Sequence, residues 1–116
     1  MAGPAGAAGQ RRLSVVSGWL EGRTRRAPDV LRRRVHHHLS GLGGTVADEA
    51  TPEALAEAGR GALAQVLDHA GDRTVALDLL AADALVTLAL LAQAQRNPAR
   101  LAGFAAEVLR AGMDDA

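Results

Sequence analysis

The sequence predicts an all-α protein, a small antiparallel bundle of four to five helices. Apolar residues recur at three- and four-residue spacing along its segments, and no segment alternates with period two. Proline, glycine and asparagine residues stand between these segments, and most of the connections are short, which is typical of antiparallel neighbours. A chain of 116 residues without cysteine fits one domain whose core needs no disulfide.

The domain organisation follows from composition. Residues 1–9 are Gly, Ala and Pro around a single Met, without periodicity, and predict a flexible tail. We expect a single helical-bundle domain over 10–112 and a frayed acidic C-terminus over 113–116. Since no positively charged stretch precedes an apolar run, the sequence predicts no secretion signal and a cytoplasmic location. The alanine, leucine and arginine bias is typical of a high-GC bacterial genome.

The first two helices lie in the basic half of the chain. Residues 10–23 place Leu13, Val16 and Leu20 at helical spacing, with Trp19 beside them. A second helix begins at Pro28 and Asp29, where proline and an acidic residue suit a helix N-terminus. Its apolar stripe and the glycines that end it are Leu31, Val35, Leu39, then Gly41, Gly43 and Gly44.

Three further helices are expected in the second half. Thr51 and Pro52 cap and begin the third, over residues 51–70, whose predicted buried face is Leu55, Ala62, Leu63, Val66 and Leu67. Residues 73–96 form the most apolar segment, which we interpret as the central helix of the bundle. Asn97 is the expected cap of the last helix, over about 98–111, whose apolar residues include Phe104, Val108 and Leu109.

The apolar segment 73–96 is not predicted to span a membrane. Asp78 and Asp83 interrupt it, and its unbroken apolar run is shorter than the roughly 20 residues that a bilayer requires. At 100° per residue, both carboxylates fall among apolar neighbours. We therefore take Asp78, Asp83 and nearby Thr87 as candidates for buried polar residues or a ligand site. The expected partner of a buried carboxylate is an arginine of the basic half or a capping bond to a neighbouring helix end.

Charge divides the chain into two halves. Residues 1–40 carry a net charge of +6 and residues 41–116 a net charge of −6, although the whole chain is neutral. Arginine supplies every positive charge of the side chains, because the sequence contains no lysine. Schiff-base and P-loop lysine mechanisms are therefore excluded.

The stretch LRRRVHHHLS, residues 31–40, is the strongest local feature. Adjacent histidines on a helix point about 100° apart, so His36, His37 and His38 do not converge on one metal ion. Each follows an arginine four residues earlier, which disfavours a cation further. The sequence therefore predicts a solvated basic face and no metal site.

Function is expected to depend on surfaces and not on chemistry. The sequence shows no nucleophile–base–acid arrangement, so an enzyme is not favoured, and no cofactor is predicted. We interpret the chain as a protein–protein interaction module, either a homo-oligomer or an accessory subunit of a larger bacterial protein. Two alternatives stay open: a nucleic-acid-binding protein and a bundle that binds a small apolar ligand near Asp83. Candidate partner- or nucleic-acid-binding residues are Trp19, Arg25, Arg26, Arg32, Arg33, Arg34 and His37.

Overall fold

A computed structural model describes residues 18–42 and 51–114, and within these ranges the regular structure is entirely helical. Helix α1 covers residues 18–24. It is followed by α2 (Asp29–Ser40), α3 (Pro52–Asp68), α4 (Thr74–Arg96), a short 3-10 helix (Pro98–Arg100) and α5 (Leu101–Asp114). The predicted all-α class is confirmed. The predicted tail and most of the first apolar stripe lie outside the described residues.

The ends of α3 follow the local signals closely. The Thr51 side-chain oxygen accepts a hydrogen bond from the backbone N–H of Ala54 at 3.1 Å, and Pro52 occupies the first turn. This cap satisfies one of the backbone donors that a helix start leaves open. The helix ends at Asp68, three residues before Gly71, which takes a φ of +99° in the turn that leads to α4. Glycine adopts this conformation without strain.

The start of the last helix differs from its prediction. Asn97 makes no side-chain cap; instead its backbone carbonyl accepts hydrogen bonds from the Gln93 side chain at 3.2 Å and from the Arg100 N–H at 3.1 Å. A single 3-10 turn then leads into α5. The Asn97 side chain therefore does not cap this helix start, and the Asn97 backbone carbonyl accepts the hydrogen bond that closes the 3-10 turn.

Helices α3 and α4 form the principal packing unit of the bundle. They run antiparallel, since Glu53 at the start of α3 pairs with Arg96 at the end of α4 at 3.7 Å. Gly59 lets the two helices approach closely: a Cβ at this position would lie 3.1 Å from the Val86 side chain. The sequence left open whether the glycines of α3 mark a close helix contact, and Gly59 does so whereas Gly61 faces open space.

The core lies where α2, α3 and α4 meet. Its largest fully buried side chains are Val35 of α2, Leu55 of α3 and Leu85 of α4. Leu20 from α1 and Phe104 from α5 pack against the same cluster. The apolar stripes of the sequence therefore supply the core of the described residues.

Two predictions about buried faces are wrong. Leu63 and Leu67 are exposed, because no described helix packs over that side of α3. Helix α4 does contact α2, α3 and α5, as expected of a central helix, but it is not enclosed. Leu79 and Leu80 are more than half exposed, so the other described helices leave one side of α4 uncovered.

One described helix, Thr74–Arg96, is long and apolar enough to cross a membrane by length and composition alone, although only a third of its most apolar window is buried. A buried core helix meets the same criterion. The absence of a membrane span therefore stays a prediction.

The two glycines of α3 offer a test of this packing. Replacing Gly61 with alanine is expected to raise the free energy of unfolding by about 1 kcal/mol, because alanine favours the helix and its methyl group meets no neighbour. Gly59→Ala should gain clearly less, since Val86 must shift to admit the methyl group. Urea denaturation followed by circular dichroism measures both. Equal gains would contradict the close approach of α3 and α4.

Candidate functional site

A polar cluster of Arg34, His38 and Asp78 joins α2 to α4 inside the bundle. The Arg34 guanidinium donates from Nε to Asp78 Oδ1 at 2.5 Å and from Nη2 to Oδ2 at 3.1 Å. His38 Nε2 lies 2.9 Å from the same Oδ1, so this nitrogen carries the proton that the carboxylate accepts. The side chains of His38 and Asp78 are only 4% and 6% exposed, whereas that of Arg34 is 30% exposed. Arg34 and His38, one helical turn apart on α2, therefore both donate hydrogen bonds to the Asp78 carboxylate.

The electrostatics of the polar cluster favour the ionised carboxylate. The hydrogen bonds from Arg34 hold the pKa of Asp78 below its ordinary value; burial acts in the opposite direction, and the bond from His38 lowers the pKa further. The same contact raises the pKa of Arg34. The cluster is thus a charged pair completed by a histidine, with each buried polar atom satisfied.

The polar cluster corrects the predicted solvated face of α2. His38 is buried and Arg34 is partly covered, while His36 and His37 are exposed as expected. A helix presents Arg34 and His38 on one side because they are four residues apart, and that side continues the stripe of Val35 and Leu39. The expected arginine partner for Asp78 is confirmed as Arg34. His38 was not among the predicted site residues, although its spacing from Arg34 was the available signal.

Asp83 and Thr87 are not buried, which corrects their assignment as buried polar residues. Both lie on the uncovered side of α4, and the Thr87 hydroxyl donates to the Asp83 backbone carbonyl at 2.8 Å. Among the described residues, no side chain forms an ion pair with the Asp83 carboxylate. Asp78 and Asp83 are five residues apart and therefore face directions about 140° apart.

The candidate residues of the basic half differ in their exposure and in their contacts. Trp19 is partly buried; its indole N–H donates to Gln95 Oε1 at 2.9 Å, which attaches α1 to the end of α4. The Arg23 guanidinium lies 6.0 Å from the centre of the Trp19 ring. Arg32 pairs with Asp29 in the first turn of α2. The exposed candidates are Arg25, Arg26, Arg33 and His37. Their binding role stays a prediction.

Two observations on the described residues concern metal binding and the partners of the buried histidine. They contain no group of three His, Asp or Glu side chains placed to hold a metal ion. Within the same residues, no hydroxyl group is hydrogen-bonded to the His38 ring, whose partner is Asp78. The polar cluster therefore connects α2 to α4 through Asp78.

An apolar groove lies between α3 and α5, with α4 as its floor. We call it the leucine groove and define it by Leu63, Leu79, Ala82, Val86, Val108 and Leu109. Its volume is about 540 Å³. Three of its leucines are substantially exposed: Leu63 at 40%, Leu79 at 51% and Leu109 at 67%. Leu67, one turn beyond Leu63, is exposed as well.

Charged residues at the leucine groove are few. Asp83 lines it from α4, and Arg60 lines it from α3, where it pairs with Glu57 on its own helix. The sequence predicted Leu63 in the buried face of the third helix and Leu109 among the apolar residues of the last, because periodicity reveals an apolar face but not whether another helix covers it. Asp83, predicted for a ligand site, does line the groove.

Comparison with known proteins finds no matching family model, no similar curated protein and no similar solved structure. We therefore infer a function from the polar cluster and the leucine groove themselves.

Stability should fall in acid because of Asp78. Its pKa is lowered in the folded state, so the ionised carboxylate stabilises the fold above its unfolded pKa of about 3.9. This contribution is lost as the pH falls below that value and through the folded pKa. We expect the free energy of unfolding, measured by urea titration from about pH 6 to pH 2.5, to decrease with acid less steeply in Asp78→Asn than in the wild type. Equal slopes in Asp78→Asn and the wild type would contradict the assignment.

Proposed function

We propose that this chain is a small helical protein–protein interaction module, an accessory subunit or homo-oligomer, that docks another polypeptide in the leucine groove. One observation carries the proposal: leucines from α3, α4 and α5 are exposed together and line one groove. Contiguous exposed apolar surface is costly in water, and in folded proteins it typically marks an interface.

The contrast with the polar cluster supports this assignment. Asp78, on one side of α4, is enclosed and satisfied by Arg34 and His38. The opposite side of the same helix presents leucines and a lone carboxylate to solvent. Helix α4 is apolar beyond the face that packs against the other described helices. The apolar surface that those helices leave exposed is the kind of surface that a docking module requires.

A photo-crosslinking experiment tests the proposal in the native host. Benzoylphenylalanine is introduced in place of Leu79 or of Leu109, and, as a matched control, in place of Arg110, which is exposed on a different side of α5. We expect one discrete adduct from positions 79 and 109 and none from position 110. The polypeptide identified by mass spectrometry is then purified and its binding measured with the wild type and with Leu109→Asp.

The substitution in the leucine groove separates binding from folding. Because Leu109 is 67% exposed, Leu109→Asp should change the free energy of unfolding by less than about 1 kcal/mol while it abolishes binding. Adducts of equal yield from all three positions, or wild-type affinity in Leu109→Asp, would exclude the groove as the docking surface. Sedimentation velocity at low and high salt then distinguishes a homo-oligomer from an accessory subunit.

The alternative of a small apolar ligand near Asp83 concerns the same groove. The location of Asp83 at the edge of the leucine groove is the observation that favours it. Native mass spectrometry of the gently purified protein would reveal an added mass that Leu79→Asp removes.

A further inference from the structure

We infer that the occupant of the leucine groove is a basic amphipathic helix of another protein, with an arginine or lysine placed opposite Asp83. This inference rests on the proposed function and adds the chemistry of the partner. Three features carry it: the shape of the groove, the lone carboxylate in it, and the helix ends beside it.

The shape of the leucine groove suits a helix. Helices α3 and α5 both pack on α4 and form the two walls, and α4 forms the floor. A fourth helix laid between the walls would complete a four-helix arrangement, in which apolar residues at i, i+3, i+4 and i+7 of the partner meet the groove. Gly112 also lines the groove with open space where a Cβ would stand, and glycine lets a partner backbone approach closely.

Asp83 sets the sign of the charge that the partner needs. Its carboxylate is exposed, lies at the groove, and forms no ion pair with another described residue. Docking an apolar helix over it would remove water from an unpaired carboxylate, which is costly unless a cation of the partner replaces that water. Arg60 is engaged with Glu57 on α3, so the groove's own arginine already has an acidic partner.

The C-terminal end of α5 adds further negative charge beside the leucine groove. The last part of α5 reaches the groove at Gly112, and a helix C-terminus carries a partial negative charge. Neither α3 nor α5 has a basic residue in its last turn to offset this charge. The apolar floor is therefore accompanied by negative potential from two sources, the Asp83 carboxylate and the α5 terminus, and a basic helix complements both.

A displayed library of helical peptides of about 18 residues, roughly 27 Å long, tests the inference. The peptides carry a fixed i, i+3, i+4, i+7 apolar stripe, and the positions beside the stripe vary among Arg, Lys, Glu and Gln. Selection against the full-length wild type should enrich arginine or lysine at one such position. Fluorescence anisotropy should then show the enriched peptide binding about tenfold more weakly to Asp83→Lys. Asp68→Lys, exposed on α3 away from the groove, should bind it within about twofold.

Four outcomes are distinct. In the first, the selected peptides lose binding to Leu79→Asp but either show no preference for basic residues or bind Asp83→Lys as well as the wild type. This result would overturn the basic partner and leave the docking groove intact. Groove-specific crosslinks to a partner together with no selected helix would overturn the helical occupant. No groove-specific crosslink and no selected peptide would exclude the proposed function as well. A wild-type dimer whose position-79 crosslinks join two copies would show that a second copy, and not another protein, occupies the groove.

Discussion

Replacing Asp78 with alanine is expected to lower the free energy of unfolding by about 3 kcal/mol. The substitution removes the acceptor that Arg34 and His38 share and leaves the buried His38 ring N–H without its partner. Because α2 and α4 lose the ion pair that joins them, the change should act on the whole bundle. Urea denaturation followed by circular dichroism at neutral pH measures the loss.

Two comparisons establish that the loss comes from the polar cluster. Asp83→Ala alters a carboxylate on the same helix five residues later and should change the free energy of unfolding by less than about 0.5 kcal/mol, since Asp83 is exposed. His38→Ala combined with Asp78→Ala should cost less than the sum of the single variants, because the two side chains form one contact. A small loss in Asp78→Ala, or strict additivity, would show that the cluster does not hold α2 and α4 together.

Leu85→Ala is expected to lower the free energy of unfolding by roughly 2 to 5 kcal/mol, the largest decrease among core substitutions. Leu85 is fully buried at the junction of the helices, so truncation removes buried methyl groups and leaves a cavity. Thermal and urea unfolding both measure this effect. The matched control is Leu80→Ala, the same truncation on the same helix at a position 55% exposed, which should cost well under about 1 kcal/mol. Equal losses would mean that both sides of α4 are covered in solution.

The leucine groove and the polar cluster give α4 two different sides. One side carries Asp78 and Leu85 and joins α2 and α3. The other carries Leu79 and Asp83 and faces solvent. Substitutions on the first side are expected to act on stability, and substitutions on the second side on binding. This separation makes the proposed docking surface testable without unfolding the protein.

Local sequence signals predicted the helices and several of their ends. The spacing of Val35 and Leu39 identified the buried stripe of α2, and Thr51 with Pro52 marked the start of α3, because propensity, capping and periodicity act within a few residues. The expectation that an arginine of the basic half would pair with a buried aspartate was likewise confirmed for Asp78. A buried carboxylate must pair with a cation, accept hydrogen bonds or take up a proton.

Only the packing of the helices decided which aspartate is buried and which leucines are not. Asp78 and Asp83 have similar apolar neighbours in the sequence, yet α2 packs over the first and no described helix covers the second. His38 is buried for the same reason: the side of α2 that holds it faces α4. Leu63 and Leu109 are apolar residues of α3 and α5 that no described helix covers. Periodicity determines which residues share a side of a helix, whereas burial depends on the relative position of helices far apart in the chain, so the leucine groove was visible only in the tertiary structure.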